Sequence, residues 1–136
     1  FCGTLDCCKH PSYQDLEGLR VSSHFFIDRS GRLFQYVSCL DRAWHAGVSS
    51  YEGRENCNDF SIGVELEGTD SAPYEQAQYE TLGRLTDALA EAYPIKYVTG
   101  HSMIAPLRKT DPGPAFDWLT YESLCKTGKP LCFPYV

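Results

Sequence analysis

Apolar positions recur along this chain with two different periods. From Val21 to Val37 they alternate in HFFIDR and again in RLFQYV, and the Ser-Gly step at 30–31 between them predicts a β-hairpin turning around Asp28–Gly31. That alternation sets His24, Phe26 and Asp28 on one face and Phe25 and Ile27 on the other. SIGVELEG at 61–68 alternates again, with Ile62, Val64 and Leu66 toward a core and Gly63, Glu65 and Glu67 opposite. Over 74–93 the period becomes helical: Leu82, Leu85 and Leu89 recur with Ala88 and Tyr93, Pro73 precedes, and Glu75 falls in the first turn. IKYVTG at 95–100 reads as a short strand that delivers His101 at its end, and a second helix is expected from about Asp117 to Lys126. Residues 1–20 read as loop with at most one helical turn. This order predicts an α/β domain, a mixed β-sheet with helices packed on it.

Two stretches obey neither period. Residues 42–58, RAWHAGVSSYEGRENCN, are rich in Gly, Ser and Asn and long for a plain connection, and loops of that length in compact domains are usually functional or mobile. Trp44 and His45 stand side by side in it, an indole face and an imidazole suited to sugar or peptide contact, although Trp44 could equally anchor the loop in the core. Residues 100–118, GHSMIAPLRKTDPGPAFDW, carry Pro106, Pro112 and Pro114, each of which removes a backbone donor and fixes φ, so a stiffened loop is expected. His101 and Asp111 in this loop are metal-ligand types, and Lys109 sets a cation two residues before the aspartate. His10 and His24 are read as structural histidines. Two carboxylates on one strand face, Glu65 and Glu67, are costly unless that face is wet or functional.

Composition narrows the function. One ordinary globular domain accounts for 136 residues with 43% apolar and 22% charged. The net charge of −6 and the absence of any Lys/Arg run exclude a nucleic-acid partner in favour of small-molecule or glycan chemistry. Seven cysteines, odd in number and without a C-x-x-C pair, favour a reducing compartment and argue against a structural zinc knuckle. No segment approaches eighteen consecutive apolar residues, so no membrane span is expected.

The wording of FCGTLD (1–6), RVSSHFFI (20–27), RAWHAGVSSY (42–51), CNDFSIGVELEGTD (57–70) and the 100–118 loop closely resembles the AmpD-type N-acetylmuramoyl-L-alanine amidases. That family also contains phage amidases and peptidoglycan recognition proteins. The resemblance implies an amidase domain over 1–126 with a C-terminal tail at 127–136. It implies Zn2+ as cofactor, with His101 and Asp111 as ligands, Glu65 as the group that moves the proton and Lys109 as the cation that holds the oxyanion. Its third zinc ligand, a histidine at the end of a first strand, matches none of His10, His24 or His45, so the chain is expected to be an N-terminally truncated form lacking that strand. The implied substrate is a muropeptide or peptidoglycan fragment, cleaved between N-acetylmuramic acid (in the 1,6-anhydro form) and L-alanine, by a cytoplasmic monomer. Arg20 matches a position suited to a stem-peptide carboxylate, and Trp44, His45 and Asn58 are expected to touch substrate. Asn56 stands where a second basic residue is often found, which weakens the expected grip on the distal peptide. The alternative is a non-catalytic muropeptide-binding module, and the retention of Glu65, Lys109, His101 and Asp111 argues against it.

Overall fold

The computed structural model describes residues 22–134. Arg20, His10 and the 1–20 loop reading lie outside the described residues. The expected hairpin is present as β1 (Phe25–Ile27) and β2 (Leu33–Gln35), antiparallel with Ile27 opposite Leu33. Asp28 closes its turn: one carboxylate oxygen accepts from Ser30 N–H, Ser30 Oγ and Arg32 N–H, the other from Arg32 Nε at 2.9 Å. On the other side β1 pairs in parallel with β5 (Val64–Leu66), with Phe26 opposite Glu65, so the sheet runs β2-β1-β5 and is mixed as expected. The parallel register places Glu65, on the outer strand β5, beside the fully buried Phe26 of the central strand β1.

Helix α1 (Gln76–Ala92) begins at a reciprocal capping box between Glu75 and Gln78. Glu75 is thus the N-cap, one position outside the first turn expected for it, because its side chain accepts the orphan N–H of Gln78. The buried face of α1 carries Gln78, Tyr79, Leu82, Leu85 and Thr86, a three-and-four spacing. Gln78 is wholly buried, and its amide donates to the Glu67 carbonyl at 2.9 Å, tying the helix to the end of β5. Helix α3 (Trp118–Leu124) starts at Asp117, whose side chain accepts from Leu119 and Thr120 N–H, and it packs on α1 with Tyr121 Oη 2.7 Å from Thr86 Oγ1. Ile27, Tyr79, Leu82, Phe116, Trp118 and Tyr121 form the main core, joined by Val64 and Leu66 as the strand alternation requires.

Three readings change. The 95–100 segment is not a strand but makes, among the described residues, a single parallel bridge between Tyr97 and Cys132 with Val98 N–H to Cys132 O at 2.9 Å. Residue 132 belongs to the stretch read as a tail, so its pairing was out of reach of local pattern. The 42–58 loop contains a small hairpin, β3 (Ser50–Tyr51) with β4 (Arg54–Glu55), turned by Glu52 and Gly53 at φ 50° and 78°, the left-handed pair of a type I′ turn. The proline-rich run opens with one helical turn, α2 (His101–Ile104), which ends before Pro106 can break it.

Candidate active site

Helix α2 and the returning loop bring the two candidate ligands together. Ser102 N–H donates to the Asp111 carbonyl at 2.8 Å, and Lys109 N–H to Ala105 O at 2.9 Å, so the chain from 101 to 111 closes on itself. Tyr74 Oη reaches the Pro112 carbonyl at 3.1 Å, and Thr110 Oγ1 bonds the Asp70 carboxylate, which holds the loop against the segment after β5. His101 Nδ1 then stands 3.2 Å from Asp111 Oδ2. Two donors each about 2.0–2.1 Å from a tetrahedral zinc ion are separated by roughly 3.3 Å, so this pair has the spacing of neighbouring zinc ligands. A lone pair facing a carboxylate at this distance requires a proton or a cation between them. Among the described residues no group of three His, Cys, Asp or Glu that could hold a metal occurs.

Electrostatics separate the three carboxyl and imidazole groups of the site. Burial pushes the Glu65 carboxyl up to about 7, helped by the negative charge of Asp111 and opposed by His101 and Lys109. Burial acts upward on Asp111 too, but the hydrogen bond and charge of His101 outweigh it and hold Asp111 below the ordinary carboxylate value. Lys109 bears on both carboxylates from the same loop. A carboxyl titrating near neutrality beside an ionised one is the division of labour expected of an acid–base site.

His45 lies against this centre. Burial, then the neighbouring His24 and His101, bring its imidazole down to about 4, so it is neutral at pH 7. Its ring covers β5 at Gly63, where a Cβ would stand 2.4 Å from the ring, so the strand admits the imidazole only with glycine there. Ser61 Oγ gives its proton to Cys57 O at 2.5 Å, which leaves His45 Nε2 as donor to Ser61 at 3.3 Å. Asn58 is buried, and its side-chain oxygen accepts from the N–H groups of both His45 and Ala46, at 3.1 and 2.9 Å. That oxygen shapes the loop, which is a different task from the substrate contact expected of it. Trp44 is half-buried with the Arg42 guanidinium 4.2 Å above its ring, and Arg42 is also paired with Asp59. His24 is wholly buried, donating from Nε2 to Asp41 O at 2.8 Å and accepting Gly63 N–H on Nδ1, the structural role expected of it. Glu67 is likewise structural, accepting Arg29 N–H at 2.8 Å.

A groove of about 430 Å3 adjoins this region through Asn58 and Ser61, lined also by Arg42, Asp59 and Phe60, but it contains none of Glu65, His101, Lys109 and Asp111. Two groups that bear on the candidate ligands were passed over in the sequence, the Ala46 carbonyl, which touches His101 Nε2, and Arg108, which touches that carbonyl. Backbone oxygens leave no mark on a sequence, and Arg108 is hidden by its neighbour Lys109.

The family model of N-acetylmuramoyl-L-alanine amidase matches residues 1–114. The chain belongs to the N-acetylmuramoyl-L-alanine amidase family. Within it, the chain is 56% identical over 126 residues to 1,6-anhydro-N-acetylmuramyl-L-alanine amidase AmpD of Escherichia coli K12, covering 91% of this chain and 69% of that protein. A crystal structure of a selenomethionine derivative of AmpD superposes with a TM-score of 0.75 at 54% identity, over 90% of this chain and 69% of that one. The amidase AmiD from E. coli, in complex with its substrate anhydro-N-acetylmuramic acid-L-Ala-D-gamma-Glu-L-Lys, superposes with a TM-score of 0.73 at 36% identity, over 84% of this chain and 51% of that one. The amidase fold expected from the sequence is therefore the fold observed.

Proposed function

We propose that the protein hydrolyses the amide between N-acetylmuramic acid, in its 1,6-anhydro form, and the L-alanine of a peptidoglycan stem peptide, as a step in cell-wall recycling. The observation that carries this reading is the Glu65 carboxyl, held near 7 beside the His101–Asp111 pair and within the field of Lys109. His101 Nδ1 and Asp111 Oδ2 would hold zinc, whose donor spacing they match; bound zinc lowers the pKa of water and polarises a carbonyl. Glu65 accepts the proton of the attacking water and returns it to the leaving amine nitrogen, so the C–N bond breaks with its proton inventory closed. The Lys109 ammonium offsets the negative charge that develops on the carbonyl oxygen. Trp44, its ring backed by Arg42, offers a flat apolar surface to the sugar, with the neutral His45 beside it and Arg20 taking a stem-peptide carboxylate.

Similarity to AmpD supports the anhydro sugar, and seven cysteines without paired spacing support a cytoplasmic setting, where a monomer is expected. Incubation with anhydro-N-acetylmuramic acid-L-Ala-D-gamma-Glu-L-Lys, followed by mass spectrometry, tests the reading. Free tripeptide and free anhydro sugar are expected, abolished by a chelator and restored by zinc. Substrate that is bound and returned intact would mark a binding module instead.

A further inference from the structure

The His101 ring is set by a backbone oxygen that is itself gripped. Nε2 lies 2.9 Å from the Ala46 carbonyl oxygen. A carbonyl oxygen only accepts, so Nε2 carries a proton and Nδ1 is the ring nitrogen turned toward Asp111. The same oxygen accepts a second hydrogen bond from Arg108 Nη2 at 2.6 Å, and that nitrogen also donates to the Val48 carbonyl at 3.0 Å. Ala46 is fully buried and is therefore clamped at both of its polar groups, by Asn58 on the N–H and by Arg108 on the C=O. Arg108 is largely exposed, yet it spends these donors on two carbonyls of one loop and not on water. Gly47 makes the arrangement possible: its φ is +63°, and a Cβ there would stand 2.7 Å from Nη2.

We propose that Arg108 is a positioning residue for His101, acting through the Ala46 carbonyl: by pinning that oxygen beside Nε2 it keeps the imidazole in the tautomer and orientation in which Nδ1 serves as a metal ligand. The proposal rests on the reading of His101 as a zinc ligand. Hydrogen-bond partners of metal-bound imidazoles are typically worth about 10–100-fold in metal affinity, because they decide which nitrogen is free and where it points. Arg108 and Gly47 act here as one unit, so damage to either should do the same harm.

The test uses the full-length protein with His101→Ala, Arg108→Ala, Arg108→Lys, Gly47→Ala and the Arg108→Ala/Gly47→Ala double variant, each checked for folding by circular dichroism. Zinc affinity is read by competition with a chromophoric chelator, and the His101 ring nitrogen that binds the metal by nitrogen-15 NMR of the zinc-loaded protein. His101→Ala should abolish tight zinc binding. Arg108→Ala should weaken it about tenfold or more and replace a single form, Nδ1 on zinc with Nε2–H, by a mixture, with Arg108→Lys recovering part of both. Gly47→Ala should match Arg108→Ala, and the double variant should be no worse than either, as expected of two residues in one unit. Unchanged zinc affinity and tautomer in Arg108→Ala, alongside loss in His101→Ala, would overturn this proposal and leave the metal reading intact; a change confined to KM for muropeptide would do the same by making Arg108 a substrate contact. Unchanged zinc affinity in His101→Ala would overturn the metal reading and this proposal with it. If Arg108→Ala does not fold, Arg108→Lys and Gly47→Ala decide the matter on the same two readouts.

Discussion

Glu65 works as a base only when it has lost its proton, and burial with the nearby Asp111 charge delays that loss to about pH 7. The pH profile of kcat/KM should therefore fall on its acid side as Glu65 takes up its proton, at a lower pH than in the metal-free protein because a bound cation favours the carboxylate, a limb absent from Glu65→Gln; a profile without such a limb would take Glu65 out of the proton transfer. The same shift bears on stability with a definite sign. Glu65 has a folded-state pKa above its unfolded value of 4.5, so folding favours its protonated form: the penalty is absent below about 4.5 and complete above about 7. Metal-free wild-type protein should thus lose stability relative to Glu65→Gln as pH rises across that window, measured by urea midpoints. Asp111 has the opposite sign, its contribution being present above 3.8 and lost as the pH falls below it, so the two effects occupy different ranges. Lys109→Ala should lower kcat by about two orders of magnitude with little change in KM, as for loss of an oxyanion donor. The roles given to Glu65, Lys109, His101 and Asp111 come in the sequence from the resemblance to the amidases, because a strand face and a proline-rich loop do not by themselves tell a functional group from a structural one: Glu67 shares the face of Glu65 and is bonded to Arg29. The neutrality of His45 and the occupation of the Asn58 oxygen were not legible, since both depend on what folds against them.

Elements were legible where one period ruled and illegible where pairing was distant. Helix α1 and the β1–β2 hairpin follow directly from spacing. Residues 95–100 looked like a strand because their apolar positions alternate, yet a strand needs a partner ladder, and the described chain offers only the bridge to Cys132. The β3–β4 hairpin was missed because Glu-Gly at 52–53 is a weaker turn signal than Asn-Gly, and two-residue strands leave no period to detect. The hairpin that carries β1 depends on Asp28. Burial works against its charge, but hydrogen bonds from Ser30 and Arg32 outweigh it and bring the carboxyl down to about 2. Asp28→Ala should cost about 2 kcal/mol at pH 7, the order expected for hydrogen bonds to a buried charge. That difference should be fully present above about pH 4 and vanish as the pH falls through about 2, because the depressed pKa is the source of the stability. Equal stabilities of the two proteins at pH 7 would show that the turn holds without the carboxylate.

Across the whole molecule, two clusters divide the labour. The aromatic core of Tyr79, Phe116, Trp118 and Tyr121 locks α1 and α3 to the sheet, while the smaller cluster of Ala46, Cys57 and Ile104 holds the 42–58 loop against helix α2. Trp44, half-buried under the Arg42 guanidinium, is the proposed sugar contact. Trp44→Ala should raise KM for muropeptide while moving the melting temperature little; a large fall in melting temperature at constant KM would make it a loop anchor. The central claim is that the face of β5 and the 101–111 loop together form a zinc amidase centre in which Glu65 moves the proton. Its most direct test is turnover of anhydro-muropeptide by Glu65→Gln, with zinc content measured on the same sample. The account predicts a zinc content equal to that of the unsubstituted protein, unimpaired substrate binding and a kcat lower by about two orders of magnitude or more. Near-normal turnover with zinc in place would contradict it.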